Sequence, residues 1–432
     1  MNGFDPRHWR DEVLGGALRN LILRPWYDRV SIAVLGDWYF PVSRLWAAAL
    51  GARGSVSAFV EAAPRVDPES YLAGRAVAEV DGLRRAHDKA TAKWGDLLFG
   101  DGPADSGALA RAEALRVGAA HALMAARWSC VPLHIRRRGP AVAFAVPSYD
   151  AVAARHGERL AAPDRAFAPP SSSSPPGAVS GPGSGARSFG YQTAFGRVSR
   201  LRMAAPVPLA EGDTVLARVY EPAQPRATVI LAHGVGIESE MWRGLAEPPK
   251  ALVEAGCRVI QPVAPWHGHR ALEGRYGGEP IFAGGPMALL DFLHAAVLEL
   301  GLLTSWARSL GDGPVALGGV SLGALTVQRL ATAAHHWPRA MVPDALLLVT
   351  ASASISAVGF TGSLPAALGV PQALEEAGWT PGPGGRLGAV AGADGPALAR
   401  AVADRDDPGR CRRCRALSRG RDPGREMGRP GR

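Results

Sequence analysis

Short apolar runs alternate with helix-like segments through much of the second half of this chain. The strand-like runs lie at 214–222, 227–234, 257–265, 314–321 and 344–352. Segments with a helical spacing of apolar residues lie between them, at 245–256, 285–311 and 323–336. Buried β-rich runs joined by helices are typical of a mostly parallel sheet covered by helices on both faces. The pattern therefore predicts an α/β fold built on a mostly parallel sheet.

Residues 1–160, which precede this pattern, are predicted to be helical. The long stretch 67–99 begins at a capping residue, Asp67, and its apolar residues recur at helical spacing. A second long stretch begins at Ser106, and shorter helices are expected at 40–50 and 55–63. Two interpretations of this region stay open: packing and support for the rest of the chain, or a cap that shapes a substrate pocket.

The segment 161–188 divides the helical region from the α/β pattern. It is rich in Pro, Ser and Gly, which bury too little apolar surface to offset the entropy lost on ordering. We therefore expect a flexible linker here, followed by an α/β domain over 189–382. The remaining residues, 383–432, are expected to form a disordered basic tail.

The formal net charge of +9 is concentrated in this tail. From residue 381 onward the chain has 12 arginines and 6 acidic residues, so this part alone carries +6. The rest of the chain is only mildly basic, which argues against a specific nucleic-acid partner. An arginine-rich tail does attract nucleic acid or anionic lipid as any basic segment does, so a basic-tailed interaction protein is one alternative for the function.

Cysteine usage and hydropathy indicate a soluble, cytoplasmic protein. Four cysteines in a chain of 432 residues do not make a disulfide framework. Residues 1–13 lack the basic start and apolar stretch of a signal peptide, and no uninterrupted run of about 18 apolar residues predicts a membrane span. Cys411 and Cys414 have the CxxC spacing, but no second ligand pair follows them, so no metal site is predicted.

The pentapeptide Gly-Val-Ser-Leu-Gly at 319–323 joins a predicted strand to the helix that follows it. A chain that turns this sharply holds its central residue in a strained backbone conformation, and side chains at Gly319 and Gly323 would collide with neighbouring backbone. The turn leaves the Ser321 hydroxyl exposed at the carboxyl edge of the sheet. We interpret Ser321 as a nucleophile, with a purely structural turn serine as the alternative.

Two backbone N–H groups are candidates for binding an oxyanion beside Ser321. Leu322 opens the predicted helix, and its N–H points toward the space in front of the hydroxyl. The second candidate is Val235, which follows His233-Gly234 at the end of an earlier predicted strand. Two convergent donors at one sheet edge would stabilise the negative charge that develops on a carbonyl oxygen under attack.

With these motifs in place, the segment from about 190 to 378 resembles the α/β-hydrolase superfamily. The likeness rests on His233-Gly234, the strand and loop at 256–269, and the Gly-Val-Ser-Leu-Gly turn. Three further features loosely resemble the abhydrolase-18-like branch: Trp242, the loop Pro265-Trp266-His267-Gly268, and Gly284-Gly285. The resemblance covers a little under half of the chain.

The resemblance implies hydrolysis of an ester, thioester or amide through an acyl-enzyme, with no cofactor. It assigns Ser321 as the nucleophile and the N–H groups of Val235 and Leu322 as the oxyanion donors. The pocket would then include His233, Gly234, Trp242, Trp266 and His267. Other aromatic and apolar residues of the same loops, Tyr276, Ile281 and Phe282, are candidates for lining a site for a small or medium acyl group.

The family places an acid and then a histidine after the nucleophile. Here the last histidines are His335 and His336, on the helix that directly follows the turn, and residues 337–432 contain none. His267 and His269 lie on a loop at the same sheet edge and are possible substitutes as the base. The alternative is therefore a catalytically dead or truncated hydrolase-fold protein that lacks its acid and histidine.

The composition of the tail suggests a reason for this gap. After about residue 382 the chain has no Ile, Phe, Tyr, Trp or His, and its Arg, Gly, Pro and Ala content is that of GC-rich codons read in a shifted frame. We hypothesise that a frameshifted tail replaces the last strands, the acid and the histidine. A naturally disordered basic tail is the other interpretation.

Overall fold

The structure is a computed structural model, and it describes residues 25–100, 105–162, 167–169, 187–194, 196–236, 249–311, 313–352 and 354–381. Trp242, Cys411, Cys414, the tail 383–432 and most of the predicted linker lie outside the described residues. All of the described residues belong to one compact unit of the chain.

Seven α-helices occupy the described residues before the sheet. Their bounds are Pro25–Val34 (α1), Phe40–Gly51 (α2), Val56–Ala62 (α3), Tyr71–Phe99 (α4), Ser106–Ala125 (α5), Val131–Arg136 (α6) and Tyr149–Ala161 (α7). A single π-helical turn, Leu35–Tyr39, joins α1 to α2. Helix α4 starts four residues after the expected cap, because Asp67 caps a turn through the Glu69 N–H instead. Helix α5 begins at Ser106 as predicted, with the Asp105 carboxylate accepting from two backbone N–H groups.

Within the ranges that the structure describes, a seven-stranded mixed sheet forms the centre of the second part. Its strands are Tyr191–Thr193 (β1), Gly196–Ala204 (β2), Thr214–Glu221 (β3), Ala227–Ala232 (β4), Cys257–Pro262 (β5), Val315–Val320 (β6) and Ala345–Val349 (β7). They lie in the order β1-β2-β3-β5-β4-β6-β7. Strands β5, β4, β6 and β7 run parallel, whereas β1, β2 and β3 pair antiparallel. The predicted α/β class is confirmed, and the sheet adds an antiparallel side that the sequence pattern did not reveal.

The connecting helices are Pro249–Glu254 (α8), Glu279–Ala283 (α9), Gly285–Ser309 (α10) and Leu322–Ala333 (α11), followed by Ile355–Thr361 (α12), Ser363–Leu368 (α13) and Val370–Glu376 (α14). The chain leaves β4 for β5 on one side and leaves β6 for β7 on the other. This places a switch point in the strand order between β4 and β6, where open α/β sheets bind their ligands at the carboxyl ends of the strands. The arrangement is that of an α/β-hydrolase fold.

Helices cover both faces of the sheet. On one face, Val297 and Leu303 of α10 and Val327 of α11 pack on the central strands. On the other face, Trp94 and Leu98 from the end of α4 contact strand residues. The N-terminal helices are therefore part of the packing around the sheet, and this burial of apolar area is their main stabilising contribution.

Helix α10 is long and apolar enough to cross a membrane by length and composition alone, but 67% of its most apolar window is buried inside the fold. Its buried residues include Phe292, Leu293 and Thr304. Because core helices of this length pass the same test, we regard α10 as the central packing helix of the α/β region.

Candidate active site

The turn from β6 into α11 holds Ser321 in a strained backbone conformation. Its φ is 52° and its ψ is −115°, a region that residues with side chains rarely occupy. A Cβ atom on Gly319 would lie 2.4 Å from the carbonyl carbon of Gly323. A Cβ atom on Gly323 would lie 2.3 Å from the carbonyl oxygen of Ala232. The sharp bend is thus possible only with glycine at both ends.

The end of β7 fixes the backbone of this turn. The Ser321 N–H donates to the Val349 carbonyl at 3.0 Å and to the Thr350 hydroxyl at 3.2 Å. Ser321 itself is exposed to solvent, so its hydroxyl is accessible from outside the fold. A strained, anchored backbone that presents an accessible hydroxyl is the geometry of a nucleophile elbow.

The loop after β4 lies directly beside Ser321. A Cβ atom on Gly234 would be 3.5 Å from the Ser321 Cβ, an ordinary van der Waals distance, so the two residues are direct neighbours. Leu322 is the first residue of α11, where backbone N–H groups have no intrahelical acceptor. Val235 follows Gly234 in the turn. The structure therefore brings together the nucleophile candidate and the two segments that carry the candidate oxyanion donors.

His233 holds this loop in place and has no nitrogen left for catalysis. Its Nε2 accepts from the Ala264 N–H at 3.0 Å, so the proton is on Nδ1, which donates to the Gly234 carbonyl at 2.8 Å. Burial lowers the pKa of His233 and keeps it neutral. This histidine connects the end of β4 to the end of β5.

His267 is fully buried behind the same loop. Its Nδ1–H donates to the Pro265 carbonyl at 2.8 Å, and its Nε2 has no hydrogen-bond partner among the described residues. The ring packs edge-on against His233 at 4.9 Å. Burial, with a smaller effect of His233, lowers the pKa of His267 to about 3. A histidine with so low a pKa is a poor proton acceptor from a serine hydroxyl at neutral pH.

Trp266 belongs to an apolar cluster that reaches both candidate oxyanion donors. It is buried with Phe292 and Ile281, and the side chains of Val235 and Leu322 pack against this cluster. Tyr276, also predicted as a pocket residue, belongs instead to the cluster of the N-terminal helices, and its hydroxyl donates to the Ala141 carbonyl. Phe282 packs against that second cluster too.

A buried ionic group fastens the loop that carries Trp266 and His267. The Arg270 guanidinium donates to Asp213 at 2.8 Å and to Glu299 at 2.6 Å. All three side chains are almost completely buried. Despite its burial, the pKa of Arg270 is raised by its hydrogen bonds to the two carboxylates, so it stays charged. Because Arg270 is hydrogen-bonded to both carboxylates, the charges of the three side chains are paired with one another. We therefore interpret this group as a structural anchor of the loop and not as part of the catalytic machinery.

The other candidate bases lie far from Ser321. The His269 Nε2–H donates to the carbonyl of Thr214, on β3, at 3.3 Å. Strand β3 is three strand spacings from β6, which is about 14 Å. His335 and His336 follow α11, whose 12 residues place them about 18 Å along the helix from the turn. Among the described residues, no histidine nitrogen is hydrogen-bonded to the Ser321 hydroxyl.

Two residues that the sequence did not single out contact the loop after β4. The Tyr39 hydroxyl donates to the Gly236 carbonyl at 3.4 Å, and the ring of Phe40 packs against Gly236. The sequence predicts a short helix at 40–50, but it does not reveal which loop that helix contacts. In the part of the chain that the structure describes, no group of three or more metal-ligating side chains is placed to hold a metal ion.

Comparisons with known proteins give similarity in structure only. No protein-family model matches the sequence, and no curated protein matches it. A solved structure of a lipase in its open form is 25% identical over 35% of this chain and 43% of its own, with a TM-score of 0.27. A cold-adapted esterase from an Arctic intertidal metagenomic library is 16% identical over 37% of this chain and 62% of its own, with a TM-score of 0.27.

A thermostable carboxyl esterase from Bacillus coagulans is 18% identical over 35% of this chain and 41% of its own, with a TM-score of 0.22. The chain thus spans less than two thirds of the length of each of these three proteins. At such TM-scores the similarity says nothing about which residues act. The function must therefore be argued from the geometry around Ser321.

Proposed function

We propose that this chain is a serine hydrolase that cleaves an ester, thioester or amide of a small or medium acyl compound, with Ser321 as its nucleophile. The backbone of Ser321 carries this proposal. A φ of 52° between two glycines that tolerate no side chain is costly, and proteins retain such strain where it serves a function. A serine needed only to make a turn would have no reason to be exposed and strained at a switch point of the sheet.

In the proposed reaction the Ser321 Oγ attacks the carbonyl carbon of the substrate and loses its proton to a base. The carbonyl oxygen becomes negative and accepts hydrogen bonds from the N–H groups of Leu322 and Val235. Collapse of this intermediate expels the alcohol, thiol or amine, which takes up a proton and leaves an acyl-serine. Water then attacks the acyl-serine, releases the carboxylic acid and restores the hydroxyl.

No histidine of the described residues is hydrogen-bonded to the Ser321 hydroxyl, so we assign none of them as the base. His233 has both nitrogens engaged, and His267 is buried with a pKa of about 3. Unless a group outside the described residues serves, the proton passes to water. Serine hydrolases without a functional base keep only the part of the rate enhancement that comes from the oxyanion hole and binding. We therefore expect slow turnover and reaction mainly with activated esters.

The apolar cluster around Trp266 supports an acyl group as the bound part of the substrate. Its members Trp266 and Phe292 are buried, and the cluster is in contact with the side chains of both Val235 and Leu322. An alkyl chain that extends from a carbonyl held by those two residues would meet apolar side chains. No described feature of the site selects one acyl length.

Activated esters test the proposal. Purified wild-type chain is incubated with p-nitrophenyl esters of two to twelve carbons, and p-nitrophenol release and the mass of the intact protein are followed. We expect release above the buffer rate, with a mass increase equal to the acyl group. Both should be lost in Ser321→Ala and kept in Ser352→Ala, a nearby serine whose hydroxyl donates to the Ser354 carbonyl. Equal release by wild type and Ser321→Ala would contradict the proposal.

A second candidate is a hydrolase-fold protein that is incomplete and inactive. In the described residues β7 is the last strand of the sheet, and its side chains Leu347, Leu348 and Val349 are 51%, 39% and 43% exposed. An edge strand with apolar side chains this exposed is a place where a further strand would pair in a complete hydrolase sheet. Absence of both p-nitrophenol release and acylation in wild type would favour this candidate.

A further inference from the structure

One face of helix α2 lies against the loop that carries the candidate oxyanion donor Val235. We propose that Phe40 and Tyr39 are positioning residues, which hold the Val235–Gly236 turn so that the Val235 N–H faces the nucleophile. This inference rests on the proposed function, and it gives the N-terminal helical region a part in the reaction. Tyr39 and Gly236 are 197 residues apart in sequence.

The contact between Phe40 and Gly236 is close and buried. Gly236 has a φ of 74°, and a Cβ atom on it would lie 3.2 Å from the Phe40 Cε1. Phe40 is only 3% exposed. Glycine in the left-handed region has little conformational restraint of its own, so an aromatic ring packed against it restricts the turn.

Tyr39 adds a polar contact to the same residue. Its hydroxyl donates to the Gly236 carbonyl at 3.4 Å, while the Arg127 guanidinium lies 5.5 Å from the centre of its ring. Tyr39 is the last residue of the π-helical turn Leu35–Tyr39. Single π-helical turns occur frequently at functional sites, because the extra residue redirects the side chains that follow. Here the turn ends at Tyr39 and is followed directly by Phe40, and these are the two residues that reach the loop.

The same face of α2 also fixes a second segment that presses on Val235. One turn after Phe40, Arg44 donates to the Gly274 carbonyl at 3.1 Å and pairs with the fully buried Glu279 at 3.2 Å. Between these anchors lies Gly278, where a Cβ atom would be 2.7 Å from the Val235 Cγ2. Helix α2 therefore restrains the turn directly through Gly236 and indirectly through Gly278.

Restraint of this turn affects the transition state more than substrate binding. An oxyanion donor acts on charge that exists only after attack, so its misplacement lowers kcat and leaves KM nearly unchanged. A displacement of about 1 Å in such a group costs up to about 100-fold in rate. A purely structural role of Phe40 would instead lower the amount of folded protein and affect all measured steps alike.

Three full-length variants test the proposal: Phe40→Ala, Tyr39→Phe and, as a control, Leu45→Ala. Leu45 lies on the same helix and is 6% exposed, so its truncation costs comparable packing. Three measurements are made at a temperature where each variant is folded. They are the rate of labelling by a fluorophosphonate probe, the kcat and KM for p-nitrophenyl acetate, and the hydrogen exchange of peptides that contain 233–236.

We expect Phe40→Ala to lower kcat and the labelling rate about 10- to 100-fold with KM within about twofold, and to speed exchange at 233–236. Tyr39→Phe should show a smaller effect in the same direction, and Leu45→Ala should stay within about twofold of wild type in each quantity. The inference is overturned if Phe40→Ala matches Leu45→Ala in both labelling and exchange. If wild type itself is not labelled, the proposed function fails. Faster hydrogen exchange at 233–236 in Phe40→Ala than in Leu45→Ala would then still support the restraint of the turn by Phe40.

Discussion

Ser321 and Thr350 are joined by a hydrogen bond from the Ser321 N–H to the Thr350 hydroxyl at 3.2 Å, and both have a left-handed φ, 52° and 50°. Thr350 directly follows β7, and its hydroxyl also donates to the Val349 carbonyl at 2.7 Å. The turn that holds Ser321 is therefore attached to the end of the last described strand of the sheet. Ser321 is thus hydrogen-bonded to a neighbour that also has a positive φ.

Two substitutions at Thr350 separate its hydrogen bond from its backbone strain. Thr350→Val keeps the unfavourable φ and loses the hydroxyl, so we expect the free energy of unfolding to fall by about 1 kcal/mol. Thr350→Gly also loses the hydroxyl but relieves a left-handed cost of about 1–2 kcal/mol, so its stability should stay near that of wild type. Urea unfolding measures both values. If both variants lose the same free energy of unfolding, the positive φ of Thr350 does not destabilise the folded chain.

A methyl group at Gly323 should break the turn. The added Cβ would lie 2.3 Å from the Ala232 carbonyl oxygen, which is backbone of a central strand and cannot move cheaply. We expect Gly323→Ala to lower the free energy of unfolding by about 3 kcal/mol. Gly82→Ala is the control, because its Cβ on helix α4 meets nothing within 4 Å and should stabilise by up to about 1 kcal/mol. Similar melting temperatures for the two variants would refute this account of the elbow.

Removal of the Arg270 side-chain charge should lower the free energy of unfolding far more than removal of an exposed arginine. Arg270→Met leaves the buried carboxylates of Asp213 and Glu299 without their shared cation, and we expect a loss of about 3–5 kcal/mol. Arg53, which pairs with Glu273 at the surface with both side chains more than half exposed, is the matched control. Arg53→Met should lower the free energy of unfolding by only a small fraction of that amount, as measured by urea unfolding. A loss for Arg270→Met as small as that for Arg53→Met would contradict the described network.

The burial of His267 predicts lower stability in acid. Its pKa is lowered to about 3 in the folded chain, whereas an unfolded histidine takes up a proton near its usual pKa of about 6.5. Between these values unfolding binds a proton, so the free energy of unfolding falls as pH falls, by about 1 kcal/mol per pH unit for this group. Below pH 3 both states are protonated and this dependence ends.

The matched variant for this pH dependence is His267→Gln. It should be less stable than wild type at pH 7, and its stability should fall less steeply between pH 6 and pH 4, by about 1 kcal/mol per unit. Urea unfolding at several pH values measures both slopes. A variant with the same slope as wild type would mean that His267 is accessible to protons in the folded chain.

The parallel part of the fold was predictable because its strands are continuous apolar runs. Strand β2 was not, since its sequence, Gly196–Ala204, alternates arginines with apolar residues. Arg200 is buried there only because Glu113 of α5, 87 positions earlier, pairs with it. A partner so distant in sequence leaves no local signal, so a buried charged strand looks like an exposed segment.

The sequence predicted the backbone turns of the candidate site but not the contacts that its side chains make. Local patterns placed Ser321 in a sharp turn and Gly234 at the end of a strand, because glycine spacing reports backbone geometry directly. The same patterns did not indicate that both nitrogens of His233 are engaged or that Phe40 contacts Gly236. Those facts depend on tertiary contacts between segments far apart in the chain, and a single sequence carries no trace of them.

The most direct test of the account is to map where a fluorophosphonate attaches. Wild-type chain is labelled at pH 8, digested and analysed by tandem mass spectrometry, with Ser321→Ala and heat-unfolded wild type as controls. We predict one phosphonylated residue, Ser321, in folded wild type and no adduct in either control. An adduct at another serine, or equal labelling of folded and unfolded chains, would contradict the claim that this elbow presents a nucleophile.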